Sequence, residues 1–273
     1  MTVLVTGSRG AVAQALIRLL RERGLPVRAA SRTPDGPDVV HCDLSDPSTF
    51  ATALKGTTSV FLYAEPSRIE EFTEEATAAG VEHVVLLSSS AVPSPDAESS
   101  PVAKSHLDVE KALDASFLHT TALRPGTFAG NALTWSRNLR SGRPISLPCP
   151  GSHSDPIHEA DIAESTLAVL TEPALGGRPY TLTGPESLTF TEQIGILSRV
   201  TGRSVPVRAV TREEWKQETA GHIPAAFADA LMDWWQSTDG RPVELTAAVE
   251  QLTGHEARTF ETWARDHVGD FRA

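Results

Sequence analysis

Only two cysteines occur in the 273 residues, Cys42 and Cys149. Two cannot build a disulfide framework, and neither stands in a CxxC or zinc-ligand spacing. No run approaches the ~20 apolar residues of a membrane-spanning helix. No basic segment precedes a long apolar run at the start. These absences lead us to expect a soluble, cytoplasmic chain with no membrane partner. Positive charge is scarce as well: 24 Lys and Arg stand against 35 Asp and Glu, for a net charge of −11. A nucleic-acid binder needs a basic face, so that class is set aside, while a local basic pocket for a phosphate remains open. There is no internal repeat and no low-complexity tract. His153 and His158 flank Asp155 in a proline-bounded loop, but no HExxH-like spacing accompanies them, and no metal is expected. What the chain does have is 40% hydrophobic and 22% charged residues, the composition of a packed globular protein. Its length suits one large α/β domain, or such a domain with an appended lobe.

The most informative stretch is the first. Val3, Leu4 and Val5 read as a short buried strand, Gly7 and Gly10 punctuate a turn, and a helical pattern then runs from about Ala11 to Arg23. Strand, glycine turn and helix are the parts that hold a dinucleotide pyrophosphate. Gly7 permits the tight turn, Gly10 admits close backbone approach, and the helix presents its positive end. Ala13 takes the third glycine position, where alanine is tolerated. We expect Gly7, Ser8, Arg9, Gly10, Ala11 and Val12 to line this subsite.

The second strand, Val27 to Ser31, bears on which cofactor is bound. An NAD site usually carries an acid about 20 residues past the glycines, holding the ribose 2′-OH. Here Ser31 and Arg32 stand at the strand end, and Arg9 lies in the glycine turn. Arginine pairs with a 2′-phosphate, so NADP(H) is the expected cofactor. NAD(H) is the alternative, with Asp35 as the nearest acid, and two solvated arginines are the plain reading.

A third strand is expected over Val39 to Leu44, where Asp43 either accepts from the adenine amino group or caps the turn, and Leu44 offers an apolar edge. Asp46 and Pro47 read as N-cap and first residue of a helix. Ser59 to Ala64 is the fourth strand, with Tyr63 and Ala64 at its end, and a helix follows from about Arg68 to Ala79. Val84 to Leu87 is the fifth, delivering Ser88, Ser89 and Ser90 to a carboxyl end. Five such repeats in about 90 residues imply a doubly wound parallel sheet. Pro93 to Pro101 reads as a mobile loop or lid, and a helix follows from about Val102 to Ala115. Beyond the strand of Thr120 to Phe128, a smaller, mostly helical lobe is expected. Capping boxes at Thr189/Glu192 and Thr211/Glu214 open two of its helices. Trp215, Trp234, Trp235 and Trp263 read as its core, or as a homodimer interface. The expected division is a dinucleotide-binding domain over 1–128 and a substrate lobe over 129–273, with 155–183 returning to the sheet.

Taken together, these residues give the chain a family likeness. It resembles the NmrA-like group of atypical short-chain dehydrogenase/reductases. The likeness rests on Thr6 to Ala11, Asp43 and Leu44, and Ser88 to Ala91. It rests also on His106, Glu110 and Leu113, on Leu123 to Asn131, on Asp161 to Ala163, and on Leu182 to Pro185. The resemblance implies an NAD(P)-binding Rossmann fold. The wider superfamily uses a Tyr-x3-Lys pair on the helix after Ser88. Alignment on Glu110 and Leu113 puts Val102 and His106 in those positions, so the usual proton donor is missing.

His106 is then the leading catalytic candidate, since an imidazole transfers protons near neutral pH. It either does so or only contacts the nicotinamide ribose, and Glu110, one turn on, is placed to orient it. Ser88 and Tyr63 are the other catalytic candidates, and Ser88 also counts as a cofactor contact. Ser89, Phe128, Asn131 and Trp135 are expected to meet a small-molecule substrate, the last three also suiting packing. The leading expectation is an NADPH-dependent reductase of a small carbonyl, quinone or conjugated double bond. The alternatives are a non-catalytic NADP(H)-binding sensor, and a non-redox isomerase, dehydratase or cyclase.

Overall fold

The computed structural model describes residues 1–221 and 223–272. Its elements begin with β1 (Val3–Val5), α1 (Ala11–Glu22), β2 (Val27–Ser31), β3 (Val39–His41), α2 (Phe50–Leu54) and β4 (Ser59–Tyr63). Then come α3 (Ile69–Ala78), β5 (His83–Leu87), α4 (Pro101–Asp114), β6 (His119–Pro125), α5 (Ser136–Ser141), β7 (Ile145–Leu147) and β8 (His153–Ser154). After these are α6 (Glu159–Thr171), β9 (Tyr180–Leu182), β10 (Leu188–Thr189), α7 (Phe190–Thr201) and β11 (Val207–Ala209). The last are α8 (Arg212–Thr219), α9 (Ala225–Ser237), α10 (Ala248–Thr253) and α11 (Phe260–Asp266). Among the described residues no helix is long and apolar enough to cross a membrane.

The chain forms two compact units. The first takes Met1–Pro125, Glu159–Leu182 and Ala248–His255, and the second takes Gly126–His158, Thr183–Ala247 and the stretch from Glu256. The sheet of the first unit has the order β3-β2-β1-β4-β5-β6-β9, with every pair parallel. It is the doubly wound, Rossmann-like sheet the repeats predict. Strand order reverses between β1 and β4, the point where such sheets bind ligands outside their carboxyl ends. Alternation along each strand supplies both faces. Leu4, Val60, Leu62, Val84 and Leu86 join Phe50, Leu54, Phe72, Val109 and Leu113 in one buried cluster, so α2, α3 and α4 cover one face. α1 packs on α6, and α6 on α10.

Local chemistry explains most boundaries. Gly24 leaves α1 at φ +66°, ending the helix. Asp46 caps as expected, its Oδ1 accepting from Ser48 N–H at 3.0 Å, but the segment behind Pro47 is a 3-10 turn before α2. The third strand stops at His41, three residues earlier than the pattern suggests. Asp43 there accepts from both the N–H and the hydroxyl of Ser45, bending the chain into a turn. Ser100 and Pro101 open α4 as N-cap and N1. The Pro93 to Pro101 loop is turn-rich, and it buries Val92 and Ala97.

Among its described residues the second unit is helical apart from two small sheets, β8 with β10 and β7 with β11. Both capping boxes form. Its core gathers Leu139, Ile145, Phe190, Leu197, Phe260, Trp263 and Phe271. The four tryptophans separate: Trp215 and Trp235 meet edge to face at 5.1 Å, Trp263 stacks on Phe260, and Trp234 is 50% exposed.

Within this unit Asp155 Oδ1 accepts the Thr127 N–H at 3.0 Å, and its carboxylate fills the space that a side chain at Gly126 would need. Burial pushes the Asp155 carboxyl up to about 6, partly offset by the Thr127 N–H. The folded state therefore keeps a proton that the unfolded state releases nearer pH 4. Stability from this group is full below that pH and is lost as pH rises through 6. Asp155→Asn keeps an acceptor for Thr127 and cannot ionise. Relative to wild type it should gain roughly 2 kcal/mol between pH 4.5 and 7.5 in denaturant titrations. A difference that stays flat with pH would refute this account.

Candidate functional site

The site is built where β1 and β4 end. Thr6 stitches the two exits together: its hydroxyl donates to the Phe61 carbonyl at 3.0 Å and accepts the Tyr63 N–H at 3.0 Å. Gly7 then turns at φ +59°, and Gly10 N–H donates to the Gly7 carbonyl at 2.8 Å. Gly10 is the N-cap of α1. As a glycine it offers no capping side chain of its own, and no acid lies in the first turn of the helix. Ser8 and Val12 are buried, and Ala11 is exposed.

Arg9 and Arg32 are both exposed, one in the turn and one just past β2. Neither guanidinium has an ion-pair or hydrogen-bond partner among the described residues. A cleft of about 390 Å³ opens beside Arg9, lined also by Ser8, Gln14, Arg18, Arg21 and Asp35. The hydrogen bonds from Ser45 hold the Asp43 carboxyl below the usual range, and the Arg32 charge adds to this. Leu44 and Ala64 pack, half-buried, against the same core cluster under this edge. A helix start with a glycine N-cap, a glycine turn carrying Arg9, and Arg32 just past β2 fit a nucleoside diphosphate with an extra phosphate.

Tyr63 leaves the end of β4 and lies against this turn. Burial raises its phenol, an effect partly offset by the Ala13 backbone N–H. Sequence spacing offers no sign of this contact, because some fifty residues separate Tyr63 from the glycines.

The serine triplet divides its labour. Ser88 is buried, and its hydroxyl donates to the Glu110 carboxylate. Ser89 Oγ accepts the Ala91 N–H at 3.2 Å. The Ser90 N–H donates to the Pro125 carbonyl at 3.0 Å, and its half-buried hydroxyl has no partner among the described residues. Among the described residues Ser89 thus keeps its O–H proton unengaged and Ser90 its whole hydroxyl, so both can meet a ligand, whereas Ser88 is taken by Glu110.

Glu110 does not orient His106, as its position one turn away suggests. Its carboxylate takes Arg124 in a two-pronged pair, Nε to Oε1 at 2.9 Å and an Nη to Oε2, besides the Ser88 hydroxyl. The side chains are 8% and 19% exposed, so this is a buried ion pair joining α4 to β6. His106 is oriented by its own helix instead. Its Nδ1 lies 2.9 Å from the Val102 carbonyl, which can only accept, so Nδ1 carries the proton. Nε2 then keeps its lone pair in the neutral ring, and among the described residues it has no partner.

The remaining candidates lie in the second unit. Phe128 is half-buried and bridges to Ile157 through its backbone. Asn131 is exposed. Trp135 packs edge-on to Phe190 at 5.9 Å and belongs to that unit's core.

Comparison with known proteins agrees with this architecture. The NmrA-like family profile matches residues 1–264. A (4-alkanoyl-5-oxo-2,5-dihydrofuran-3-yl)methyl phosphate reductase of Streptomyces griseus is 33% identical, over 98% of this chain and 99% of that protein. An NAD(P)H azoreductase of Xenophilus azovorans is 30% identical, over 99% of each chain. The Citrobacter sp. triphenylmethane reductase, solved as a complex with NADP(H), superposes with a TM-score of 0.79 at 21% identity, over 98% of this chain and 100% of that one. With the sheet, the glycine turn and the full-length match in hand, the chain belongs to the NmrA-like family.

Proposed function

We propose that this protein is an NADPH-dependent reductase of a small organic molecule carrying a carbonyl, a quinone or a conjugated double bond. The observation that carries the reading is the pair of unpartnered guanidiniums, Arg9 in the glycine turn that opens α1 and Arg32 just past β2, at the side of the sheet where strand order reverses. Two relatives at 30% identity or more are named as reductases, one with NAD(P)H in its name. The dihydrofuranone in the other name is a conjugated enone-type skeleton, which favours an electron-poor double bond among the three substrate classes.

Gly7, Gly10 and the first-turn amides of α1 would hold the pyrophosphate, and Arg9 and Arg32 the 2′-phosphate. Hydride is the chemistry such a cofactor supplies when bound. The chain's own part is the proton. His106 Nε2 can take a proton from water and pass it to the substrate atom that gathers negative charge, while the Val102 carbonyl holds the Nδ1–H. The Ser90 hydroxyl can donate to the same oxygen.

Fluorescence titration of the purified protein with NADPH and NADH tests the cofactor, and a quinone and enone panel tests turnover. Preferential NADPH binding with turnover supports the reading, whereas equal, weak binding of both overturns it. Tight NADPH binding with no hydride transfer to any panel member would favour a sensor, consistent with Val102 standing where the superfamily has tyrosine. For His106→Ala we expect kcat to fall about 100-fold or more, with NADPH affinity held within about threefold. Turnover within twofold of wild type would remove His106 from the mechanism.

A further inference from the structure

The glycine turn is not an open cradle. A Cβ placed on Gly10 would collide with the Tyr63 hydroxyl, and one on Gly7 would fall 2.8 Å from the Tyr63 ring. The second glycine of such a turn leaves room for a pyrophosphate, and here that room faces a phenol. The open cleft lies to the side, at Arg9, and Tyr63 is not among its lining residues. Tyr63 is held there by the Thr6 hydroxyl on its backbone and by an edge-to-face contact with Phe61, 5.6 Å between centroids at 84°. It is half-buried, and the Ala13 backbone N–H lies close enough to offset part of the burial effect on its phenol.

We propose that Tyr63 is a gate over the pyrophosphate subsite, its hydroxyl covering Gly10 and the start of α1 until a dinucleotide displaces it. The proposal rests on the cofactor reading above. The ring lies over Gly7, while the hydroxyl competes with phosphate oxygens for the first-turn amides. Its effect must be the same for NADPH and NADH, because both carry the pyrophosphate. That separates it from Arg9 and Arg32, which distinguish the two.

The test compares wild type with Tyr63→Phe, which keeps the ring and removes the competing hydroxyl. We expect NADPH and NADH each to bind roughly 3- to 10-fold tighter, by the same factor, as expected for removing one competing hydrogen bond. Adenosine 2′-phosphate, which lacks a pyrophosphate, should bind unchanged. The chain has only two tyrosines, so fluorotyrosine labelling gives two signals, and Tyr63→Phe assigns them. ADP-ribose should move the Tyr63 signal and adenosine 2′-phosphate should not. Weaker or unchanged binding of both dinucleotides in Tyr63→Phe overturns the gate, as does a Tyr63 signal that ADP-ribose leaves in place. Failure of wild type and variant alike to bind either dinucleotide overturns the cofactor reading and the gate together. Binding that appears only in the variant upholds the gate.

Discussion

Glu110→Ala should lower the thermal midpoint by roughly 10 °C, the largest single-residue effect we expect on stability. Removing the carboxylate leaves the Arg124 guanidinium, 19% exposed, without its counter-charge, and the buried Ser88 hydroxyl without its acceptor. Breaking one side of a buried pair costs about 3–5 kcal/mol, and at this chain length each kcal/mol moves the midpoint by about 2–4 °C. The pair itself need not be a net gain, since two charges lose water when it forms. The double variant Glu110→Leu/Arg124→Met should therefore recover most of the loss, leaving mainly the orphaned Ser88 hydroxyl. Calorimetry on Glu110→Leu, Arg124→Met and the double variant decides the matter. Additive losses in the double variant would show that the charges act independently, against this account.

Arg32→Ala should weaken NADPH binding by roughly 10- to 100-fold while changing NADH binding by less than about threefold. A charge-assisted hydrogen bond from guanidinium to phosphate contributes about 1.5–3 kcal/mol, and NADH has no 2′-phosphate to receive it. Arg32 is exposed and makes no hydrogen bond or ion pair among the described residues, only a through-space attraction to Asp43, so folding should be nearly unaffected. Arg9→Ala should act in the same direction, and a double loss short of additive is the result expected of two side chains that share one phosphate, as proposed. Equal weakening of NADPH and NADH would place Arg32 at a shared part of the cofactor and remove it as the discriminating residue.

Elements whose signals are local were legible from the residues alone. Val3 to Val5, Gly7, Gly10 and the amphipathic run to Arg23 announce strand, turn and helix within two dozen positions. Thr189 with Glu192 and Thr211 with Glu214 announce helix starts within four, and both form their reciprocal bonds. Where the reading failed, long-range partners decided. Glu110 sits one helical turn from His106, which makes that pairing the natural guess. Arg124 arrives from the neighbouring strand with a two-pronged fit and takes the carboxylate instead. The third strand ended early because Asp43 bonds Ser45 rather than continuing the ladder. The Tyr63 contact with Gly7 and Gly10 leaves no periodicity at all. It exists only because β4 lies next to β1 in the sheet.

The discontinuity of the first unit has a consequence for a chain made from one end. Pairing between β6 and β9 requires Leu182, about 57 residues beyond Pro125. At about 5–20 residues per second, β6 emerges from the ribosome roughly 3–11 s before its neighbour exists. Through that interval it is a bare sheet edge, able to pair with any extended segment nearby. Helix α10 joins later still. A nascent chain stalled before Tyr180 is thus the species we expect chaperones to hold, and the one from which aggregation of this protein should start.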